Sequence, residues 1–440
     1  MRASIARRIR YIDVNGWHHV RMSNERNWAG NLAYRAQEVV HPASVDELRE
    51  RLLRGGGVRM LGTRHSFNDI ADTDGALLRL DRMPRIVEVT EARDAVRVSG
   101  ALRYGDIAPG LHAEGLALAN LASLPHISVA GAVATGTHGS GDAIGSLATA
   151  VRELTLLTAA GEIRTLRRGE ADFAGAVVAL GALGAVLDLT LDVEPTYRVA
   201  QHVYDHPGWD AVLADLDAVT GIDTSVSLFS TWQRTDAADL LWVKQRQPDD
   251  RAEERGGLAA RVGAVAADGK RHPILGVDPA ACTEQGGVPG EWFQRLPHFR
   301  LEFTPSAGAE LQSEYLVPRT DAVAAIEAIR SLADRVAPLL LVNEIRTVRA
   351  DTLWLSPAYR TDVVGLHFTW RPDEPAVRAF LPELESALPD SARPHRGKIS
   401  TLDPAEVRRR NPRWDDFAAL RAAWDPERRF VNDHLARLGL

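Results

Sequence analysis

The chain has 440 residues, a net charge of −7, and 45 % hydrophobic and 25 % charged residues, an ordinary globular composition with length for two or three domains. The acidic balance, pI about 6.1, comes with no basic stripe beyond the N-terminus and argues against nucleic acid as a partner. The single cysteine, Cys282, excludes an intrachain disulfide and any cysteine-built metal cage.

Residues 1–26 read as a basic extension, in which Arg2, Arg7, Arg8, Arg10, Arg21 and Arg26 face only Asp13 and Glu25. Arg7-Arg8 is not followed by the apolar stretch of a twin-arginine export signal, and Met22 is a candidate start. No window approaches a membrane span. The expectation is a cytoplasmic protein without a membrane partner, a monomer or small homo-oligomer.

From Asn31 onward, short apolar runs alternate with helical patterns, which means α/β or α+β. Ser44 caps a helix over 45–54, with Asp46 and Glu47 in its first turn. Strands are predicted near 58–61, 76–80, 86–90 and 95–99, a helix near 104–114, and strands near 153–158 and 161–165. Residues 186–193 alternate with period two, one face wet, and Glu194-Pro195 ends them. A domain boundary near 195–198 follows. Beyond it, strand spacing at 225–232, 241–245, 311–317, 341–349 and 363–370 mixes with helical spacing at 321–336 and 376–388. Residues 248–294 read as long loops, a lid or surface excursion, with Trp292 and Phe293 demanding burial. Residues 402–440 turn helical again, and Asp425-Pro426 is expected to start the last helix.

His65 stands in Leu61-Gly62-Thr63-Arg64-His65-Ser66-Phe67-Asn68, just after Gly55-Gly56-Gly57. It is expected on a loop leaving a short strand, where a glycine and small polar residues let backbone N–H groups approach a pyrophosphate. Alone, a loop histidine is equally an ordinary hydrogen-bonded residue. The run from Ser123 to Gly141 is stronger. Gly131, Gly136, Gly139 and several alanines remove the Cβ atoms that hold a backbone away from a flat ligand, while Ser128, Thr135 and His138 supply polar contacts. A surface loop is the alternative, but Leu124, Ile127, Val129 and Val133 are apolar for one. A third small-residue run, 179–186, with Gly184 and Val186, feeds a strand.

Other nucleotide and catalytic signatures fail. No Gly-x-Gly-x-x-Gly joins a strand to a helix, residues 263–271 carry Arg271 where a P-loop has a hydroxyl, and no Gly-x-Ser-x-Gly elbow occurs. No histidines stand at metal spacing; His18-His19 point apart, and no metal is expected. Late in the chain, Glu344 and Arg346 share one strand face, His367 and Thr369 another, Gln312 and Glu314 a third. If these strands are neighbours, they form one polar face, near Lys398 on a following turn. A solvated sheet face would show the same spacing.

Taken in order, the His65 loop, the 123–141 run, Cys282-Thr283-Glu284-Gln285, Leu311-Gln312-Ser313-Glu314-Tyr315, Glu344-Ile345-Arg346-Thr347, His367-Phe368-Thr369-Trp370 and Gly397-Lys398 resemble the alditol oxidases, including xylitol oxidases, of the vanillyl-alcohol-oxidase superfamily of FAD enzymes. The resemblance runs from Asn27 to Asn432. It implies an α+β, two-domain flavoprotein: an FAD-binding domain over 27–198 made of two α/β subdomains, a mixed-sheet cap over 199–394, and a C-terminal segment, 395–440, completing the FAD domain. It implies FAD bound covalently through His65, with Gly62, Thr63, Arg64, Ser66, Ser123, His126, Ser128, Gly131, Thr135, Gly136, His138, Gly139, Gly184, Val186 and Lys398 around the cofactor. Ser123, Gln312, Glu344, Arg346, His367, Thr369 and Lys398 then match the residues lining a polyol site, with Arg346, Lys398 and Glu344 catalytic. The implied reaction takes a terminal alditol hydroxyl to the aldose by hydride transfer to flavin N5, with oxygen reduced to hydrogen peroxide.

One departure stands out: the family commonly has Trp before the Gly-Lys pair, and here it is Arg396. An extra cation at the pocket would favour anionic sugars; the alternative is that Arg396 turns to solvent. The competing readings are an aldonolactone (gulono- or galactono-lactone) oxidase or dehydrogenase, which shares related Glu-x-Arg and His-x-x-Lys patterns, and a flavin-binding protein without turnover.

Overall fold

The computed structural model describes residues 25–303 and 310–440; residues 1–24, with Met22, His18 and His19, lie outside it. A parallel three-stranded sheet orders Glu38–Val40, Ala76–Leu78 and Val58–Met60. Helix Val45–Leu53 begins where the Ser44 hydroxyl accepts the Glu47 N–H at 3.1 Å, and buries Leu48 and Leu52. It stops at Gly55 and Gly56, both at positive φ, the conformation glycine adopts without steric cost.

A five-stranded antiparallel sheet orders Val87–Val89, Ala95–Ser99, Ala185–Asp192, Val151–Leu157 and Ile163–Arg167. On the expected wet face of its central strand, Asp188 is buried and held by both arms of Arg97 at 2.8 and 2.9 Å. The apolar core beneath includes Val407, Trp414, Phe417, Leu420 and Leu435 from the end of the chain.

Among the described residues, the largest sheet has nine strands. Its central run is Arg198–Asp205, Leu240–Arg246, Ser225–Ser230, Leu340–Val348, Val363–Trp370 and Leu311–Pro318. Every pairing in it is antiparallel, where a mixed sheet was expected. The consequence is functional, because an antiparallel sheet does not need helices on both faces. One face presents the apolar row Leu228, Ile345, Leu366 and Tyr315 to a core shared with helices Ala322–Ser331 and Glu374–Ala387. The other face is polar and lies over a cavity.

Three further expectations change. The 248–294 excursion contains helix Ala252–Arg261 and ends in strand Gly290–Glu291, with Trp292 buried. Strand Arg198–Asp205 and helices Trp209–Ala214 and Leu216–Thr220 were not anticipated. Asp425-Pro426 follows helix Trp414–Trp424 rather than starting a helix. The buried Asp425 carboxylate accepts the Arg429 and Phe430 N–H groups at 2.9 and 2.8 Å, closing a turn, and Asn432 caps the last helix, Asp433–Arg437. Among the described residues, no helix is long and apolar enough to cross a membrane and no cluster of potential metal ligands occurs.

Candidate active site

A cavity of about 1000 Å³ runs from the two smaller sheets to the polar face of the large one. At its first end, the His65 loop and the 123–141 run meet at Ser128. The Ser128 N–H reaches the Thr63 hydroxyl at 3.2 Å, and a Cβ on Gly62 or Gly131 would come to 2.5 or 2.7 Å of the Ser128 hydroxyl. Gly62 lets the His65 loop come this close to Ser128, and Gly131, one helical turn beyond Ser128, leaves room for the same hydroxyl. Gly62, Thr63, Arg64, His65 and Ser66 line the cavity, as do Ser123, His126, Ser128, Gly131, Thr135 and His138, and Gly184 and Val186 close one wall. Arg64 has φ +67°, pairs with Glu25 at 2.5 Å, and accepts the Trp28 N–H on its carbonyl at 2.8 Å.

His65 carries the fit to a cofactor. Its ring stacks on Trp28, centroids 5.2 Å apart. Among the described residues, both ring nitrogens are buried without a hydrogen-bond partner of acceptable geometry, although the Thr63 backbone lies close enough to act on the ring. Burial first, and then His126, pull its pKa down to about 4, so the imidazole is neutral at physiological pH. An orphaned neutral imidazole in a small-residue cradle fits a large flat ligand such as FAD.

Gly136 and Gly139 do not line the cavity. Gly136 takes φ +68°, and a Cβ on Gly139 would lie 2.4 Å from the Leu121 carbonyl; both let the backbone turn and pack behind the cradle.

At the other end, the sheet register assembles the polar wall. Phe229, Glu344, His367 and Glu314 stand directly across from one another on four strands; Ser227, Arg346 and Gly365 form the next row, and Val342, Thr369 and Gln312 another. Gly365, opposite Arg346, leaves room for Glu314 and His138: a Cβ there would sit 3.3 Å from each. Glu314 is the hub. It accepts from Arg346 at 2.9 Å and from Lys398 at 2.8 Å, and His138 Nε2 approaches at 3.2 Å without hydrogen-bond alignment. Glu344 accepts from His298 Nε2 at 2.7 Å and lies 3.6 Å from Arg346 Nε and 3.8 Å from His367 Nδ1. Arg346 also reaches the Ser123 hydroxyl at 3.4 Å. Gln312 bonds Glu310 at 2.8 Å.

Burial would raise the pKa of both carboxylates, but Lys398, His138 and Arg346 hold Glu314, and Arg346, His298 and His367 hold Glu344, below the ordinary range. Burial lowers Lys398, and Glu314 opposes that shift. Burial, with Lys398 beside them, keeps His367 and His395 neutral. Two carboxylates thus balance Arg346 and Lys398. Arg346 Nε and both His367 ring nitrogens are buried without a hydrogen-bond partner among the described residues, in a wall that lines the cavity.

All the substrate-pocket residues expected from the sequence line this one cavity. Sequence reasoning left out Glu314 as a site residue, although its alternation with Gln312 was visible. It missed His298, His395 and Trp28, which carry no local signal. Arg396 matches neither expectation. It is buried away from the cavity, its guanidinium over Trp414 at 5.6 Å and bonded to the Asn411 side chain. It is therefore neither an extra pocket cation nor solvent-facing.

This cradle, with a charge-balanced polar sheet over it, defines a two-domain flavin-dependent oxidoreductase. Residues 36–167 match the FAD binding domain family and residues 309–438 the D-arabinono-1,4-lactone oxidase family. The chain is 47 % identical over 416 residues to an alditol oxidase of a Streptomyces species, covering 94 % of this chain and 98 % of that one. It is 30 % identical over 431 residues to L-gulono-1,4-lactone dehydrogenase of Mycobacterium tuberculosis, covering 94 % and 98 %. A solvent-stable cholesterol oxidase shares the fold, with a TM-score of 0.72 at 16 % identity over 94 % of this chain and 97 % of that one. The chain belongs to the alditol oxidase family, in the aldonolactone-oxidase-like branch of the vanillyl-alcohol-oxidase superfamily, and its cofactor is FAD.

Proposed function

We propose that the protein oxidises the terminal hydroxyl of an alditol of the xylitol or sorbitol kind to the aldose, with molecular oxygen as acceptor and hydrogen peroxide as second product, in the cytoplasm. The observation that carries this reading is the buried wall of Glu314, Glu344, Arg346 and Lys398, balanced in charge and rich in hydrogen-bonding groups. A neutral wall disfavours sugar acids and phosphates, and vicinal hydroxyls, each donor and acceptor, satisfy its unpartnered groups where an apolar alcohol would leave them buried and unpaired.

In this reading residues 27–198 with 395–440 hold FAD, and 199–394 form the cap. His65 would tether the flavin covalently, with Gly62, Thr63, Arg64, Ser66, Ser128 and Gly131 around it. Bound FAD supplies the two-electron acceptor for the carbinol hydrogen. Arg346 and Lys398 would hold the terminal hydroxyl oxygen and stabilise the negative charge that develops on it. Glu344 accepts a neighbouring hydroxyl; Ser123, Gln312, Thr369 and His367 complete the cradle and fix which carbon faces the ring.

Oxygen uptake with peroxide detection on xylitol, sorbitol, glycerol and gulono-1,4-lactone tests the proposal. Uptake on xylitol and sorbitol with matching peroxide is the expected result. Uptake on the lactone alone, or on none of the four, overturns it.

A further inference from the structure

Beside Glu344 lies a buried pair that the proposed chemistry does not use: His298 lines the cavity and Lys244 stands behind it. Lys244, on strand Leu240–Arg246, is 2 % exposed. Its Nζ donates to the Leu296 carbonyl and to His298 Nδ1, the latter at 3.0 Å. His298 Nε2 in turn meets Glu344 Oε1 at 2.7 Å. A carboxylate oxygen only accepts, so the neutral ring carries its hydrogen on Nε2 and accepts from Lys244 on Nδ1. Both ends demand the same tautomer. The ring is clamped edge-on by Phe229 and Trp242, at 5.7 and 5.2 Å, and the His298 N–H donates to the Ser123 carbonyl at 3.0 Å.

The effect falls on Glu344. Its Oε1 is engaged by His298, which leaves Oε2 toward Arg346 and His367 in the cavity wall. Burial pulls the Lys244 pKa down to about 7, and a lysine that among the described residues reaches a carboxylate through His298 is costly to bury where an apolar residue would fill the volume without that cost. We propose that Lys244 and His298 are positioning residues that lock the Glu344 carboxylate so that its free oxygen receives a substrate hydroxyl, setting the selectivity for polyhydroxylated substrates. This rests on reading the pocket as a polyol site.

The test uses FAD-loaded enzyme with His298→Leu, His298→Gln, Lys244→Met, Glu344→Gln and the His298→Leu/Glu344→Gln double variant. Flavin content and melting temperature establish that each is folded. Xylitol affinity is read from anaerobic perturbation of the flavin spectrum, alongside KM and kcat. His298→Leu should weaken xylitol binding and raise KM about 10- to 100-fold, the weight of one charge-assisted hydrogen bond, with a smaller change in kcat. His298→Gln, whose amide still donates to Glu344, should recover most of the loss, and Lys244→Met should fall between them. The double variant should be no worse than Glu344→Gln alone, because the histidine acts through that carboxylate.

Unchanged affinity in a folded His298→Leu, no recovery by glutamine, or additive losses in the double variant overturns the positioning role. Should His298→Leu fail to fold, the Lys244→Met and His298→Gln affinities decide it, with wild-type affinity in Lys244→Met overturning it. Wild-type enzyme that turns over no polyol overturns the functional reading instead, so the two failures are distinguishable.

Discussion

Replacing Glu314 with glutamine keeps the shape of the hub and removes its charge. The carboxylate is 1 % exposed, accepts from Arg346 at 2.9 Å and holds Lys398 at 2.8 Å. Removing one partner of a buried ion pair costs about 3–5 kcal/mol, so the melting temperature should fall by several degrees. Lys398 already has a pKa lowered by burial, with Glu314 as the first opposing influence; without the carboxylate it falls further. A lysine that acts as a cation is lost as pH rises through its pKa, so the alkaline limb of kcat/KM on xylitol should move to lower pH. With two charge-assisted bonds disrupted, kcat/KM near pH 8 should drop about 100-fold or more. Oxygen-electrode kinetics across about pH 6 to 9, with thermal melts of the same preparations, measure both effects. A glutamine variant that keeps the wild-type alkaline limb and melting temperature refutes the role of Glu314 as organiser of the two cations.

Three other outcomes are expected. His65→Ala should leave flavin that separates from the denatured protein, with slower turnover, whereas wild-type protein should remain yellow after denaturation; flavin still attached to the variant would move the linkage to another residue. Arg396→Leu removes a buried guanidinium that packs on Trp414 and bonds Asn411. It should lower stability by about 1–3 kcal/mol while leaving the order of preference among neutral and anionic sugars unchanged, as substrate panels would record; a switch in that order would return Arg396 to the pocket. Finally, His298 has a pKa pushed down to about 4 by burial, and His367 and His395 lie well below their ordinary value. The unfolded chain therefore binds more protons than the folded one from about pH 6.5 downward, and stability should fall by on the order of several kcal/mol between about pH 6.5 and 4. Below that window the paired carboxylates Glu314 and Glu344 extend the loss as they protonate. Denaturant midpoints at stepped pH measure it, and a flat profile would contradict the buried neutral histidines.

Local chemistry made much of the molecule legible. Ser44 announced its helix, glycines and small residues announced the cradle, and period-two alternation at 344–346 and 367–369 put the right side chains on one face of each strand. Where the reading erred, the cause was local ambiguity. Asp425-Pro426 has the chemistry of a helix start and equally of a tight turn, and the apolar side of Ala252–Arg261 was too short to stand out from its loops. Arg396 is read from its place before Gly397-Lys398, yet residues two apart on a turn point to different sides.

The sequence by itself determined the class of chemistry: His65 in its glycine-bounded loop, the small-residue run, and polar side chains at alternating positions are properties of neighbours along the chain. Tertiary structure decided which of those groups meet. Lys398 and Glu314 are 84 residues apart, His298 and Glu344 46, and Arg346 and Glu314 32. Arg346 and Glu314 touch because antiparallel pairing fixes the register of several strands at once, and a one-residue slip would turn a carboxylate or guanidinium to the opposite face; Lys398 and His298 arrive on loops anchored to the Gln312 and Ser123 carbonyls. The identity of the hub, the neutral charge of the wall and the lysine behind it are therefore properties of the folded sheet.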